Sequence, residues 1–174
     1  MGNIIKRSDK KAFYGVPGEG NVATYTRMKY FTEMSTSKNP VEYSRQYVDE
    51  SAERTDVVGY SPSMSFSFDD YTEDAVLTDI VSIIDGEKLG ADAQREIVLV
   101  DFTKKSGDGY EAVKRTFAVI ADSEGDGTEA YTYSGNLKSV SAVTKGIAKI
   151  LTPDNGTADT VQIIEFTETA AAGE

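Results

Sequence analysis

The most regular alternation of apolar and polar residues in the chain lies at residues 62–69, PSMSFSFD. Large apolar side chains occupy every second position, at Met64, Phe66 and Phe68. The positions between and beside them are small or acidic, namely Ser63, Ser65, Ser67 and Asp69. Successive side chains of a strand point to opposite faces of a sheet. This period of two therefore predicts a half-buried strand with one apolar and one polar face.

A helical period follows at residues 72–86. Its apolar positions recur as they do on one side of a helix, at Val76, Leu77, Ile80, Val81 and Ile84. Thr72 precedes two acidic residues and suits an N-cap, and Gly86 suits the end of the helix. The segment predicts one amphipathic helix packed on a sheet, with a helix that docks onto a partner as the alternative.

Further segments are rich in β-branched and aromatic residues, which favours strands. They are residues 25–37, 96–105, 112–121, 130–143 and 160–168. In the first, Met28, Tyr30, Thr32 and Met34 should share one face. In segment 130–143 the apolar phase shifts, and a bulge near Ser139 would reconcile it. The pattern as a whole predicts a mainly β fold, a β-sandwich or small barrel with one flanking α-helix.

Three segments lack a clear period. Residues 1–24 are polar and rich in glycine and predict an N-terminal arm outside the core. Residues 38–61 are charged and predict a long loop or an extended hairpin, which in a compact domain usually has a function. Residues 169–174 predict a C-terminal tail. The β domain is thus expected to span residues 25–168.

The acidic stretch Asp122–Gly127 matches the first half of an EF-hand calcium loop, with acids at positions 1, 3 and 5 and glycine at position 6. Position 12 is Tyr133, and a phenol cannot replace the bidentate carboxylate that such a loop requires. Both flanking segments are strand-like. We therefore interpret the stretch as a hairpin connection, since Gly and Asp favour turns.

Composition excludes several function classes. A net charge of −11 argues against a nucleic-acid-binding patch. The absence of Cys and His excludes disulfides, thiol catalysis, zinc fingers and imidazole bases. Acids at 29 of 174 positions make chance carboxylate pairs unavoidable. We predict no catalytic residue, metal or cofactor, and no membrane span, because no apolar run approaches about 18 residues.

The chain as a whole resembles the major tail tube proteins of long-tailed (siphovirus-type) bacteriophages of Gram-positive hosts. The resemblance spans about residues 25–167 in order. It is carried by residues 39–69, the helical segment 74–86, and residues 95–102, 117–138 and 145–146.

This resemblance implies a structural virion protein. Its subunits would form hexameric rings that stack into a tube, with strands of all six closing a barrel around a lumen through which genomic DNA passes unbound. Assembly would occur in the host bacterial cytoplasm, and the implied partners are other copies, the tape measure protein, the tail terminator and distal tail proteins. An acid-rich wall would repel phosphates and let DNA slide.

The resemblance also assigns roles to segments. The polar positions of strand 62–69, Ser63, Ser65, Ser67 and Asp69, would face the lumen. Residues 40–61 would reach the neighbouring ring, with charged contacts from Arg45, Asp49, Glu50, Arg54 and Asp56. Two other functions stay open: a tube protein of a contractile tail or related injection machine, and a monomeric acidic β-sandwich that binds carbohydrate or calcium.

Overall fold

The computed structural model describes residues 2–125, 127–152 and 162–170. These residues form eleven strands, one α-helix and short 3-10 helices at Arg7–Asp9, Glu19–Asn21 and Gly90–Ala93. The strands and the helix are β1 (Lys10–Pro17), β2 (Ala23–Arg27), β3 (Phe31–Ser37), β4 (Pro40–Arg45), β5 (Arg54–Tyr60), β6 (Ser63–Asp69), α1 (Ala75–Asp85), β7 (Gln94–Ser106), β8 (Gly109–Glu124), β9 (Thr132–Ser139), β10 (Thr144–Ile150) and β11 (Ile163–Glu168). The predicted mainly β fold with one flanking helix is confirmed.

Nine strands form one antiparallel sheet in the order β10-β11-β2-β1-β7-β8-β9-β6-β3, and β10 also pairs with β8. The second pairing closes six strands, β1, β2, β7, β8, β10 and β11, into a barrel. The long strand β8 belongs to two layers, since residues 110–114 pair with β10 and residues 117–124 pair with β9. Beyond the barrel, β8, β9, β6 and β3 continue as a four-stranded extension, which we call the wing sheet.

The described residues form two hydrophobic cores, one inside the barrel and one between the wing sheet, the barrel wall and α1. Strands β1 and β7 separate them and are buried on both faces. Phe13 and Val98 point into the barrel core, whereas Tyr14 and Ile97 point into the other core. Helix α1 contributes Val76, Leu77, Ile80 and Ile83 to this second core.

The N-cap of helix α1 lies two residues later than the predicted N-cap, Thr72. Its N-cap is Asp74, whose carboxylate accepts a hydrogen bond from the Leu77 backbone N–H at 3.0 Å. Gly86 is the C-cap, as expected. An acidic cap is favoured here because it meets both the free N–H groups and the positive end of the helix dipole.

The prediction that residues 1–24 form an arm outside the core is wrong for β1 and for the first two residues of β2. β1 lies between β2 and β7, and its Phe13 and Tyr14 are fully buried. The error has a physical cause: a strand that lines two cores carries apolar side chains on consecutive positions and shows no alternation.

Two strand boundaries also differ from the prediction. Segment 25–37 is not one continuous strand, because the backbone turns at Tyr30, which has a φ of 64°. As a result Phe31, and not Tyr30, packs against the core that contains Met28. Segment 130–143 needs no bulge at Ser139, because β9 ends there and a further strand, β10, begins at Thr144. Residues 171–174 of the predicted tail lie outside the described residues.

Candidate assembly surfaces

The wing sheet presents one polar face, formed by the residues that alternate with its buried apolar positions. On β6, Met64, Phe66 and Phe68 are buried, as predicted. The opposite face, which we call the polar face, carries Ser63, Ser65, Ser67 and Asp69 from β6; their register neighbours are Glu33, Ser35 and Ser37 on β3 and Thr132, Ser134, Asn136 and Lys138 on β9. Sequence reasoning missed the β3 and β9 members, because pairing between distant strands leaves no local pattern.

Hydroxyl groups of neighbouring strands bind each other across the polar face. The Ser35 and Ser65 Oγ atoms lie 2.8 Å apart, and Ser65 Oγ also donates to the Glu33 carboxylate at 3.2 Å. Near the other edge of the sheet, between β8 and β9, the Ser123 and Ser134 Oγ atoms are 2.7 Å apart. Short side chains held by such cross-strand bonds form a smooth, hydrated surface.

The reverse face anchors this surface through aromatic contacts. The Phe68 ring stacks on Tyr133 at a centroid distance of 5.5 Å and on Phe66 at 6.0 Å, and it meets Phe31 edge-on at 5.3 Å. These rings join β3, β6 and β9 from below. Aromatic pairs of this kind each contribute about 0.5–1.5 kcal/mol beyond their burial, which holds the three strands at a fixed spacing.

Both lateral edges of the wing sheet are open. β3 pairs with β6 on one side, and no other described strand pairs with it. On the opposite side, β7 pairs with β8 only as far as Ala118, so residues 119–124 of β8 have β9 as their single partner among the described strands. Because all four strands alternate in direction, the two open edges run antiparallel to one another.

Residues 40–60 form a two-stranded hairpin, β4–β5, rather than an irregular loop. Its strands contact each other and make no extensive contact with the rest of the described chain. Val48 at its turn is fully exposed, and Val58 and Tyr60 are more than half exposed. An isolated hairpin is only marginally stable in water, and the exposed valines and tyrosines make this ribbon a candidate contact surface.

The charged residues predicted in this segment are largely paired inside the hairpin. Arg45 Nη1 lies 2.6 Å from Asp56 Oδ2, and Arg54 binds the Glu50 carboxylate, with Nε at 2.8 Å from Oε2. Both guanidinium groups also stack on the Tyr47 ring. The hydrogen bonds that Arg45 donates to Tyr47 and Asp56 raise the pKa of Arg45. Asp49, by contrast, is exposed at the turn.

The acidic stretch Asp122–Gly127 begins as strand and continues as the connection to β9. β8 extends through Glu124, and the Gly125 N–H donates to the Thr132 carbonyl at 2.8 Å. Gly125 has a φ of 76°, which favours glycine. The interpretation as a hairpin connection is confirmed for these residues, while Asp126 lies outside the described part.

Helix α1 is tied to the barrel wall by a partly buried cluster of polar side chains, Tyr14, Asp79 and Arg95. Tyr14 Oη donates to Asp79 Oδ2 at 2.5 Å, and Arg95 Nε donates to the same oxygen at 2.8 Å. Burial, together with the negative charge of Asp79, raises the pKa of Tyr14 well above its ordinary range. Because the Asp79 acceptors are already occupied, this group is a structural anchor.

Within residues 2–125, 127–152 and 162–170, no three acidic, His or Cys side chains converge as metal ligands would. In the same ranges, α1 is too short to cross a lipid bilayer.

No protein-family model matches the chain, and no curated protein matches it in sequence. Its structure is similar to that of a subunit of the SPP1 phage tail tube, with a TM-score of 0.56 and 18% identity over 82% of this chain and 78% of the other. It is also similar to a chain of the anti-feeding prophage baseplate, with a TM-score of 0.48 and 6% identity over 83% and 97% of the two chains. The first likeness shows that this chain has the fold of a tail tube protein.

Proposed function

We propose that this chain is a structural subunit of a bacteriophage tail tube, built as hexameric rings that stack around a lumen. The observation that carries the proposal is the pair of open, antiparallel edges of the wing sheet. If residues 119–124 of one copy pair with β3 of the next, the sheet continues with alternating strand directions. Such a contact uses two different surfaces and so closes into a ring when each step rotates by a fixed angle.

The polar face of the wing sheet then lines the lumen. Closing the sheet removes its exposed backbone edges, which would otherwise favour uncontrolled aggregation. The face carries many short hydroxyl side chains and the carboxylates Glu33 and Asp69, against the single ammonium group of Lys138 at the register positions given above. Six copies of a chain with a net charge of −11 would repel the phosphates of genomic DNA. DNA would therefore pass through the tube without specific binding.

The β4–β5 hairpin is the proposed contact between stacked rings. The ion pairs inside the hairpin give its charged residues a different role from the expected direct contact with the neighbouring ring. The ribbon is kept rigid by Arg45, Glu50, Arg54 and Asp56, and the exposed valines and tyrosines supply the contact surface. A hairpin held rigid before it docks loses less conformational entropy on binding.

This role places the protein in the virion, with assembly in the cytoplasm of the bacterial host, which we take to be Gram-positive. Its partners would be other copies of itself, the tape measure protein at the lumen, and the tail terminator and distal tail proteins at the ends. The role is structural and requires no catalytic residue or cofactor.

Size-exclusion chromatography and negative-stain microscopy of the purified protein test the proposal. We expect rings or hollow tubes, and a variant that lacks residues 44–56 should stay folded but form no long tubes. A monomer at all concentrations would fit instead the monomeric carbohydrate- or calcium-binding sandwich and would refute the tube. Normal tubes from the deletion variant would refute the role of the hairpin alone.

A further inference from the structure

A large groove opens between the outer wall of the barrel and the edge strand β3, with a volume of about 1260 Å³. On its strands, four half-buried apolar side chains line it: Met34, Leu99, Val113 and Ile147. They come from β3, β7, β8 and β10, so the groove has a rigid floor. Apolar side chains left half open to water in this way favour an occupant.

The groove is also strongly basic in an otherwise acidic protein. Six cationic side chains line it, against the two acidic side chains Asp101 and Glu111: Lys6, Arg7, Lys10, Lys11, Lys104 and Lys145. This is a third of the 18 Lys and Arg residues of a chain with a net charge of −11. We call this surface the basic groove, and its occupant should be both acidic and apolar.

The turn of the β4–β5 hairpin has this chemistry. Residues 46–53 (QYVDESAE), which we call the hairpin tip, expose Val48 completely, with Asp49 and Glu53 exposed on the same turn. The arginines at the base of the turn, Arg45 and Arg54, already bind acids of the hairpin. The tip therefore presents an apolar side chain among carboxylates, complementary to an apolar floor with a basic rim.

We propose that the basic groove of one copy binds the hairpin tip of another copy. The hairpin makes no extensive contact with its own barrel, so its tip is available to a second copy. Tip and groove are different surfaces, and each added copy therefore brings a new tip and a new groove. The proposal rests on the proposed function, because it takes the hairpin as the contact between rings and names the surface that receives it.

Cysteine cross-linking tests the contact directly, because the chain has no cysteine of its own. In the variant Val48→Cys/Ser106→Cys, one cysteine lies in the tip and the other lines the groove. Mild oxidation of the assembled protein should give a ladder of covalent multimers in non-reducing gels. Each single variant should give dimers at most. Absence of the ladder in assembled tubes would overturn the assignment of the groove.

Two further measurements separate the possible outcomes. A ladder from Asp122→Cys/Ser106→Cys, with none from the first pair, would show that the groove takes the acidic turn of β8–β9 and would overturn our assignment. If the oxidised Val48→Cys/Ser106→Cys protein gives no ladder but tubes are seen in the microscope, the groove contact is refuted and the proposed function is not. A wild-type protein that never associates would refute both the groove contact and the proposed function.

Charge reversal gives an independent readout. Asp49→Lys/Glu53→Lys should raise the protein concentration needed for tube growth by roughly tenfold or more, since like charges would face each other across the rim. Adding Lys6→Glu/Lys145→Glu to the same chain should restore growth to within about threefold of wild type, because among the described residues neither lysine is used in an ion pair of the groove as Lys104 is with Glu111. Equal growth of the first variant and wild type would contradict the proposal, as would failure of the second pair to restore growth in a folded protein.

Discussion

Gly135 of β9 offers a sharp test of how the wing sheet is packed. A Cβ atom at this position would overlap the carbonyl oxygen of Ile120 on β8 and would lie 2.8 Å from Cζ of Phe66 on β6. The first obstacle is backbone and cannot rotate away. Gly135→Ala must therefore push β8 and β9 apart or displace the Phe66 ring from its stack.

Overpacking of this kind costs about 1–3 kcal/mol. With about 2 kcal/mol as the central value and roughly 2–4 °C of melting temperature per kcal/mol for a chain of this size, we expect Tm to fall by about 4–8 °C. The measurement is thermal unfolding followed by circular dichroism, at a concentration where the protein is unassembled, because assembly raises the apparent stability.

Gly59 provides the matched control. It also lies in a strand, and a Cβ there has no neighbour within 4 Å and no positive φ to oppose it. Gly59→Ala should leave Tm unchanged or raise it slightly, since alanine restricts the unfolded chain more than glycine does. Equal stability of the two variants would refute the packing argument at Gly135.

The remaining predictions concern the helix anchor, alkaline pH and calcium. Asp79→Ala leaves the Arg95 guanidinium and the Tyr14 hydroxyl without their shared acceptor. In urea titrations it should lower the free energy of unfolding by about 3 kcal/mol, whereas Tyr14→Phe should lower it by about 1 kcal/mol. Similar losses in the two variants would show that the ion pair with Arg95 adds nothing to the anchor. Burial raises the pKa of Tyr14 in the folded protein. Burial, and to a lesser extent the negative charge of Asp85, raises the pKa of Tyr133 to about 12. In the unfolded chain both tyrosines lose their protons at a lower pH, about 10. The stability that comes from keeping these tyrosines protonated is complete below about pH 10 and is lost as pH rises towards their pKa in the folded protein. Tm should therefore fall from about pH 10 upward, and it should fall less steeply in Tyr14→Phe than in wild type. The same dependence of Tm on pH in both proteins would contradict the role given to Tyr14. Calcium and EDTA should leave Tm unchanged, because the turn at residues 122–127 lacks a bidentate carboxylate at its twelfth position; a rise of several degrees with calcium would show a real ion site.

The parts of the fold that a local pattern encodes could be predicted from the sequence. Strand β6 faces one core and one polar surface, so its period of two is unbroken, and α1 packs one side on a sheet, so its period of 3.6 is clear. β1 escaped prediction because it is buried on both faces. Its glycine and proline residues also resemble those of a loop.

The candidate site was only half predictable for a related reason. The β6 members of the polar face follow from alternation, but the β3 and β9 members depend on which strands pair, and pairing is non-local. In the hairpin, Arg45 and Arg54 were predicted to reach another ring, yet they bind Asp56 and Glu50 of the same hairpin. Sequence distance does not reveal that residues eleven positions apart, such as Arg45 and Asp56, contact each other diagonally across a ribbon.

The most direct test of the central claim is the reactivity of a cysteine placed on the polar face. In assembled tubes of Ser65→Cys, a small maleimide should label the thiol, whereas a maleimide attached to a polymer too large to enter the lumen should not. Both reagents should label the unassembled subunit, which controls for local burial. Rapid labelling of the tubes by the bulky reagent would show that the polar face points outward and would contradict the account.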